Sequence, residues 1–207
     1  MSAAWCSWTM LVLLLCAVLA EVMQPGVITQ TPSALLAHTD RTYKESPTNF
    51  MGQFFITLFR IGTFSMALCV CFMPADHAPF VAFWAVCGLI VAVLLVKMFC
   101  NVLLDFIFSL TRRFGNPYEQ YGNITTLSAV ALYPVLLVML RVADQSAVWW
   151  SVGGMAVLFF ALWMFRAART FLVSPVAVLY LLAYMATLEL LPIAALVYLS
   201  AKTITIL

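Results

Sequence analysis

The sequence predicts an all-α protein: a polytopic transmembrane helix bundle of six spans, or five if the first is cleaved. Three observations predict it. Of 207 residues, 65% are apolar and 9% charged, against about 25% charged in an ordinary soluble domain. A soluble fold of this size could not bury so much apolar surface. The apolar residues also fall into runs near the length of about 20 residues that crosses a bilayer as a helix. Finally, the connections alternate in charge. Those holding Arg41 and Lys44, Arg112 and Arg113, and Arg166 and Arg169 are basic, whereas those around Asp76-His77 and Arg141-Asp144 are not. A membrane chain that keeps Lys and Arg on the cytoplasmic side has this pattern.

The spans follow in order within a single integral-membrane domain, residues 1–207. The first, about 3–20, carries no charge and is ended by Pro25-Gly26. The second, about 50–73, has Asn49 as an N-cap and Pro74 just past its end. The third, about 80–110, is longer than a crossing needs, so its last turns extend to the cytoplasmic interface. Gly115-Asn116-Pro117-Tyr118 reads as a turn. The fourth, fifth and sixth spans are about 125–140, 147–165 and 173–199. The connections leave no room for a soluble domain, although Leu35-Leu36 could nucleate a short surface helix in the first.

Whether the first span is a cleaved leader is decided by charge. Val18-Leu19-Ala20 before Glu21 makes a passable cleavage site, but Met1 to Ser7 lacks the expected positive charge. Removing the span would put Arg41, Lys44, Arg112, Arg113, Arg166 and Arg169 outside. Retaining it, with the N-terminus out, leaves only Arg141 and Lys202 there. The expectation is therefore a multi-pass membrane protein with both termini periplasmic.

Charges at membrane depth are costly and each needs an account. Glu189 lies inside the sixth span beside Pro192, which cannot donate to the Leu188 carbonyl and so weakens the helix there. It reads either as a proton or cation site or, preferred, as a carboxylate that pairs with a cation and holds the bundle. Arg60 lies within the second span, with Glu189 or Asp105 as its best partners. Lys97, Asn101 and Asp105 recur every four residues on the third span and form one polar stripe. The stripe could line a hydrophilic inlet; the plainer reading has Lys97 snorkelling and the stripe facing protein. Arg112, Arg113, Arg166 and Arg169 are candidates for lipid headgroups, although positive-inside anchoring also explains them. Trp5, Trp8, Trp149 and Trp150 read as interfacial anchors. Gly153-Gly154, with Ala183 and Ala186, would permit close helix approach, and Tyr180 and Tyr184 read as packing residues.

Chemistry-bearing motifs are sparse. The cysteines, Cys6, Cys16, Cys69, Cys71, Cys87 and Cys100, all fall in or beside apolar runs and form no CxxC pair, so they read as polarizable filler rather than a metal clamp. Both histidines, His38 and His77, lie between spans, which argues against a membrane haem or other metal cofactor. Phosphate-binding and hydrolase signatures are missing, Asn123-Ile124-Thr125 reads as a chance sequon, and a net charge of +2 gives no basis for nucleic-acid binding.

The segment from Tyr180 through Tyr184, Thr187, Leu188, Glu189, Leu190 and Leu191 to Pro192 resembles the closing signature of a Bacteroidota integral inner-membrane family known as domain of unknown function 4271. The region from Tyr118 to Tyr133-Pro134, the long third span, Trp8, and Gly52-Gln53-Phe54-Phe55 are similar to it as well. The resemblance covers most of the chain; it implies an inner-membrane location and supplies no reaction. The leading functional expectation is a non-catalytic subunit or assembly factor of a larger envelope complex, contacting the bilayer and other membrane proteins. A small transporter or channel component using Glu189 and the Lys97/Asn101/Asp105 stripe is the alternative, and a lipid-modifying enzyme comes third.

Overall fold

A computed structural model describes residues 3–29, 49–72, 80–108, 117–141, 145–171 and 191–206. All regular structure among them is helical. The elements are α1 (Ala3–Met23), α2 (Phe50–Phe72), α3 (Phe80–Phe108), α4 (Pro117–Met139), α5 (Gln145–Phe171) and α6 (Leu191–Ile206). The first five are long and apolar enough to cross a membrane; the apolar part of α6, Pro192–Lys202, is shorter. The expected sixth span, 173–199, lies largely outside the described residues, and with it Tyr180, Ala183, Tyr184 and Ala186. The chain is a helical membrane protein.

The bundle is organised around α2, which packs on each of the other five helices. Just over half of its span window, 56%, is buried inside the protein, against 6% for α5. Small residues let α2 be surrounded: Gly62, Thr63, Ser65, Ala67, Cys69 and Cys71 are all buried. Without a hydrophobic drive between helices in lipid, such close packing is what holds membrane helices together.

Against α2 lies α1, whose buried residues are Cys6, Met10, Leu13, Ala17 and Ala20. The steps of four, three, four and three are a coiled-coil seam, which favours a shallow crossing. Two glycines bring the backbones together. A Cβ on Gly52 would stand 2.6 Å from Cβ of Gln24, and one on Gly62 would collide with Leu13. The opposite faces of α1, with Leu11, Leu14, Leu15 and Val18, are exposed and suited to lipid.

One end of this pair is fastened by polar groups. Asn49 caps α2, its Oδ1 accepting the Met51 N–H at 3.2 Å, while its Nδ2 donates to the Met23 carbonyl at 3.1 Å. Gln53 Nε2 donates to Gln24 Oε1 at 3.0 Å. Pro25 ends α1 as the sequence indicated, and Gly26 supplies the turn with φ 95°. The Glu21 carboxylate staples this turn, accepting the N–H groups of Gly26 and Ile28 and the Thr29 hydroxyl, each at 2.8 Å.

The other end is aromatic. Trp5 meets Phe80 and Phe83 of α3 with ring centroids 5.7 and 6.0 Å apart, and Phe72 meets Trp149 of α5 edge-on at 5.3 Å. The expected anchors thus divide: Trp5 and Trp149 stack between helices, whereas Trp8 and Trp150 face outward.

Two boundaries depart most from expectation. The helix expected at 125 starts at Pro117, a residue suited to a first helical position because its missing N–H costs nothing there. Tyr118, read as part of a turn, is helical. The fifth helix continues to Phe171, so Arg166 and Arg169 lie on its last turns rather than in a connection; Arg and Ala are strong helix formers, and cations suit a helix C-terminus. Among the described residues, added Cβ atoms at Gly153 and Gly154 would meet nothing within 4 Å; Ala183 and Ala186, expected to approach them, lie outside the described residues.

Candidate functional site

Polar groups inside the bundle are mostly satisfied within their own helices. The hydroxyls of Thr9, Thr63, Thr126 and Ser128 donate to carbonyls four residues back, at 2.7–2.8 Å. This is the local solution where no water is at hand. Tyr133 works across helices: its hydroxyl donates to the Met10 carbonyl at 2.8 Å while its ring lies 5.8 Å from Phe59. It ties α4 to α1 over the back of α2.

Arg60 is the half-buried cation of α2. Ten residues from the start of that helix, it lies about 15 Å along the axis, near the middle of a hydrocarbon core about 30 Å thick. Its Nη1 donates to Thr125 Oγ1 on α4 at 3.4 Å, and that hydroxyl in turn donates to the Gly122 carbonyl at 3.0 Å. A Cβ on Gly122 would stand 3.7 Å from Nη1, an ordinary van der Waals contact, so the guanidinium lies beside the α4 backbone at Gly122. Sequence reasoning offered only carboxylates as partners and missed Gly122 and Thr125. The signal was present in the run Gly122-Asn123-Ile124-Thr125-Thr126, whose small and hydroxyl residues suit a buried cation better than lipid.

Lys97 on α3 is buried. It therefore faces protein, as the plainer reading of the stripe required, but it is not laid along the lipid surface as snorkelling would place it. The main packing partners of α3 among the described elements are α2 and α6. On those two helices Ser65 and Ser200 are fully buried; Ser65 hydrogen-bonds to Cys87 of α3, whereas the Ser200 hydroxyl has no hydrogen-bond partner among the described residues. Asn101 and Asp105 continue the stripe on α3 and Arg166 and Arg169 lie on α5, but their side chains are outside the description. Glu189, Arg112 and Arg113 are outside it altogether, so the structure does not test their assigned roles.

No group of three or more His, Cys, Asp or Glu residues among the described ones is arranged to hold a metal ion. All six cysteines are free thiols; Cys6, Cys69 and Cys71 are packed into the core.

A family model described as a domain of unknown function (DUF4271) matches residues 6–199. No curated protein and no solved structure matches the chain.

Proposed function

The chain belongs to the family of the domain of unknown function DUF4271, and we propose that it is a non-catalytic subunit or assembly factor of a larger complex in the bacterial inner membrane. The observation that carries this reading is α5. It is 27 residues long, yet only 6% of its span window is buried inside the protein, and no described residue covers its Gly153-Gly154 surface. A second transmembrane helix can come close where glycines leave backbone exposed. Gly154→Trp is accordingly expected to abolish stoichiometric co-purification of a membrane partner in mild detergent while leaving the thermal midpoint of the chain itself unchanged. A partner retained by the variant, or a parent chain that purifies alone, sinks the subunit reading.

A second reading is favoured by the buried polar groups near α3. Lys97, with the buried hydroxyls of Ser65 and Ser200, gives the interior polar character that a small transporter would need, with Asn101, Asp105 and Glu189 completing a pathway. Purification as a monodisperse homo-oligomer with no partner is the outcome expected of that alternative.

The proposed orientation has both termini periplasmic and the first span retained. The coiled-coil seam of α1 supports retention, since cleavage after Ala20 would strip five buried residues from α2. Arg112, Arg113, Arg166 and Arg169 would then meet cytoplasmic lipid headgroups. In a chain whose native cysteines are replaced, Asp76→Cys is expected to react with an impermeant maleimide added to intact cells and Arg113→Cys is not; the reverse pattern inverts the topology.

A further inference from the structure

Between α4 and α5 runs a groove of about 440 Å³ lined by Pro134, Val135, Val138, Met139, Ser151 and Met155. Its α4 wall is a single face of the last turn and a half. Pro134 sits inside that helix, and Ser151 opposite is small, so neither wall fills the space between them. Ser151 is the single polar side chain of the lining, so the slot suits hydrocarbon.

A cation stands at the mouth. α4 ends at Met139, and the chain turns through Leu140 and Arg141, whose N–H donates to the Val138 carbonyl at 3.0 Å. Arg141 is thereby fixed directly beyond two residues of the groove wall. Its side chain is exposed. Trp150, the residue before Ser151 on the opposite wall, is 83% exposed, as an indole at the headgroup level would be. An apolar slot running inward from a cation and an interfacial indole is complementary to one molecule: a phosphate on a hydrocarbon chain.

We propose that this groove binds an anionic phospholipid, with the upper methylenes of one acyl chain between Val138 and Ser151 and the phosphate at Arg141. From Pro134 to Met139 the wall extends only about 8 Å along the axis. That matches the upper part of an acyl chain and is too short a seam for another membrane-spanning helix. The site does not depend on a partner at Gly153-Gly154 or on a polar pathway past Lys97.

Native mass spectrometry of the full chain from detergent, delipidated and supplied with equal phosphatidylglycerol and phosphatidylcholine, tests it. The parent is expected to retain phosphatidylglycerol in preference to phosphatidylcholine. Arg141→Gln, an exposed change in a turn, should lower phosphatidylglycerol retention about fivefold, the worth of one basic contact to an anionic surface, and leave phosphatidylcholine unchanged. Ser151→Trp should fill the slot and reduce retention of both. Equal retention of the two lipids by the parent overturns the proposal, as does an Arg141→Gln variant that keeps the parent's preference. A dimer that Ser151→Trp dissociates would assign the groove to a second copy instead and overturn it equally.

Discussion

Gly52→Ala is expected to lower the thermal midpoint in mild detergent more than any other glycine-to-alanine change in the described helices. The added Cβ would stand 2.6 Å from Cβ of Gln24 and 3.4 Å from its backbone nitrogen. Neither atom is the far end of a flexible side chain, so the end of α1 must move as a unit. Moving it pulls on the Asn49–Met23 and Gln53–Gln24 hydrogen bonds, which sit on the same fastening. Overpacking of this kind costs about 1–3 kcal/mol, and Gly52 belongs at the upper end because backbone and polar contacts shift together. Gly153→Ala is the matched control. It meets nothing within 4 Å and gains helix propensity, so its midpoint should hold or rise. Equal losses from the two changes would show that the α1–α2 contact is not the strained one.

Gly62 and Leu13 form the second test, as a pair. Gly62→Ala pushes a methyl into the Leu13 side chain, which is buried in the seam, and should cost about 1–3 kcal/mol. Leu13→Ala alone leaves a cavity and should cost about 2–5 kcal/mol. Together they are expected to be less damaging than their sum, by about 0.5–3 kcal/mol, because the new methyl occupies space the leucine has vacated. Unfolding of the four proteins in detergent measures the coupling. Strict additivity would mean that the seam has slipped in one of the variants.

These residues also show where sequence is informative. Asn49, Pro25 and Gly26 were legible because capping and helix termination are local events, settled by the residues at the break. The helical membrane class was legible from composition alone. The start of α4 was not: Pro117 marks a break and Glu119 and Gln120 are polar, so a hydropathy reading begins the helix only where the apolar run begins, while helix formation needs no apolar residue. Glycine is harder still. Gly52, Gly62, Gly153 and Gly154 all permit close approach, and nothing local says which pair will have a neighbour. Likewise Arg60 could be marked as a buried cation from its place in an apolar run. Its contact with Gly122 and Thr125 on α4 depends on how α2 is surrounded, which is a property of the assembled bundle.

The fastening at Met23, Gln24, Asn49 and Gln53 has a practical corollary for engineering. The chain leaves α1 and returns to α2 at the same point, so the ends of the connecting stretch are already joined by contacts that owe nothing to its length. Loop-closure entropy grows only logarithmically with added residues, and here even that modest penalty is borne by a junction closed by side chains. Breaking the junction itself, as Asn49→Ala would, should therefore cost more thermal stability than any change in the length of chain that it closes.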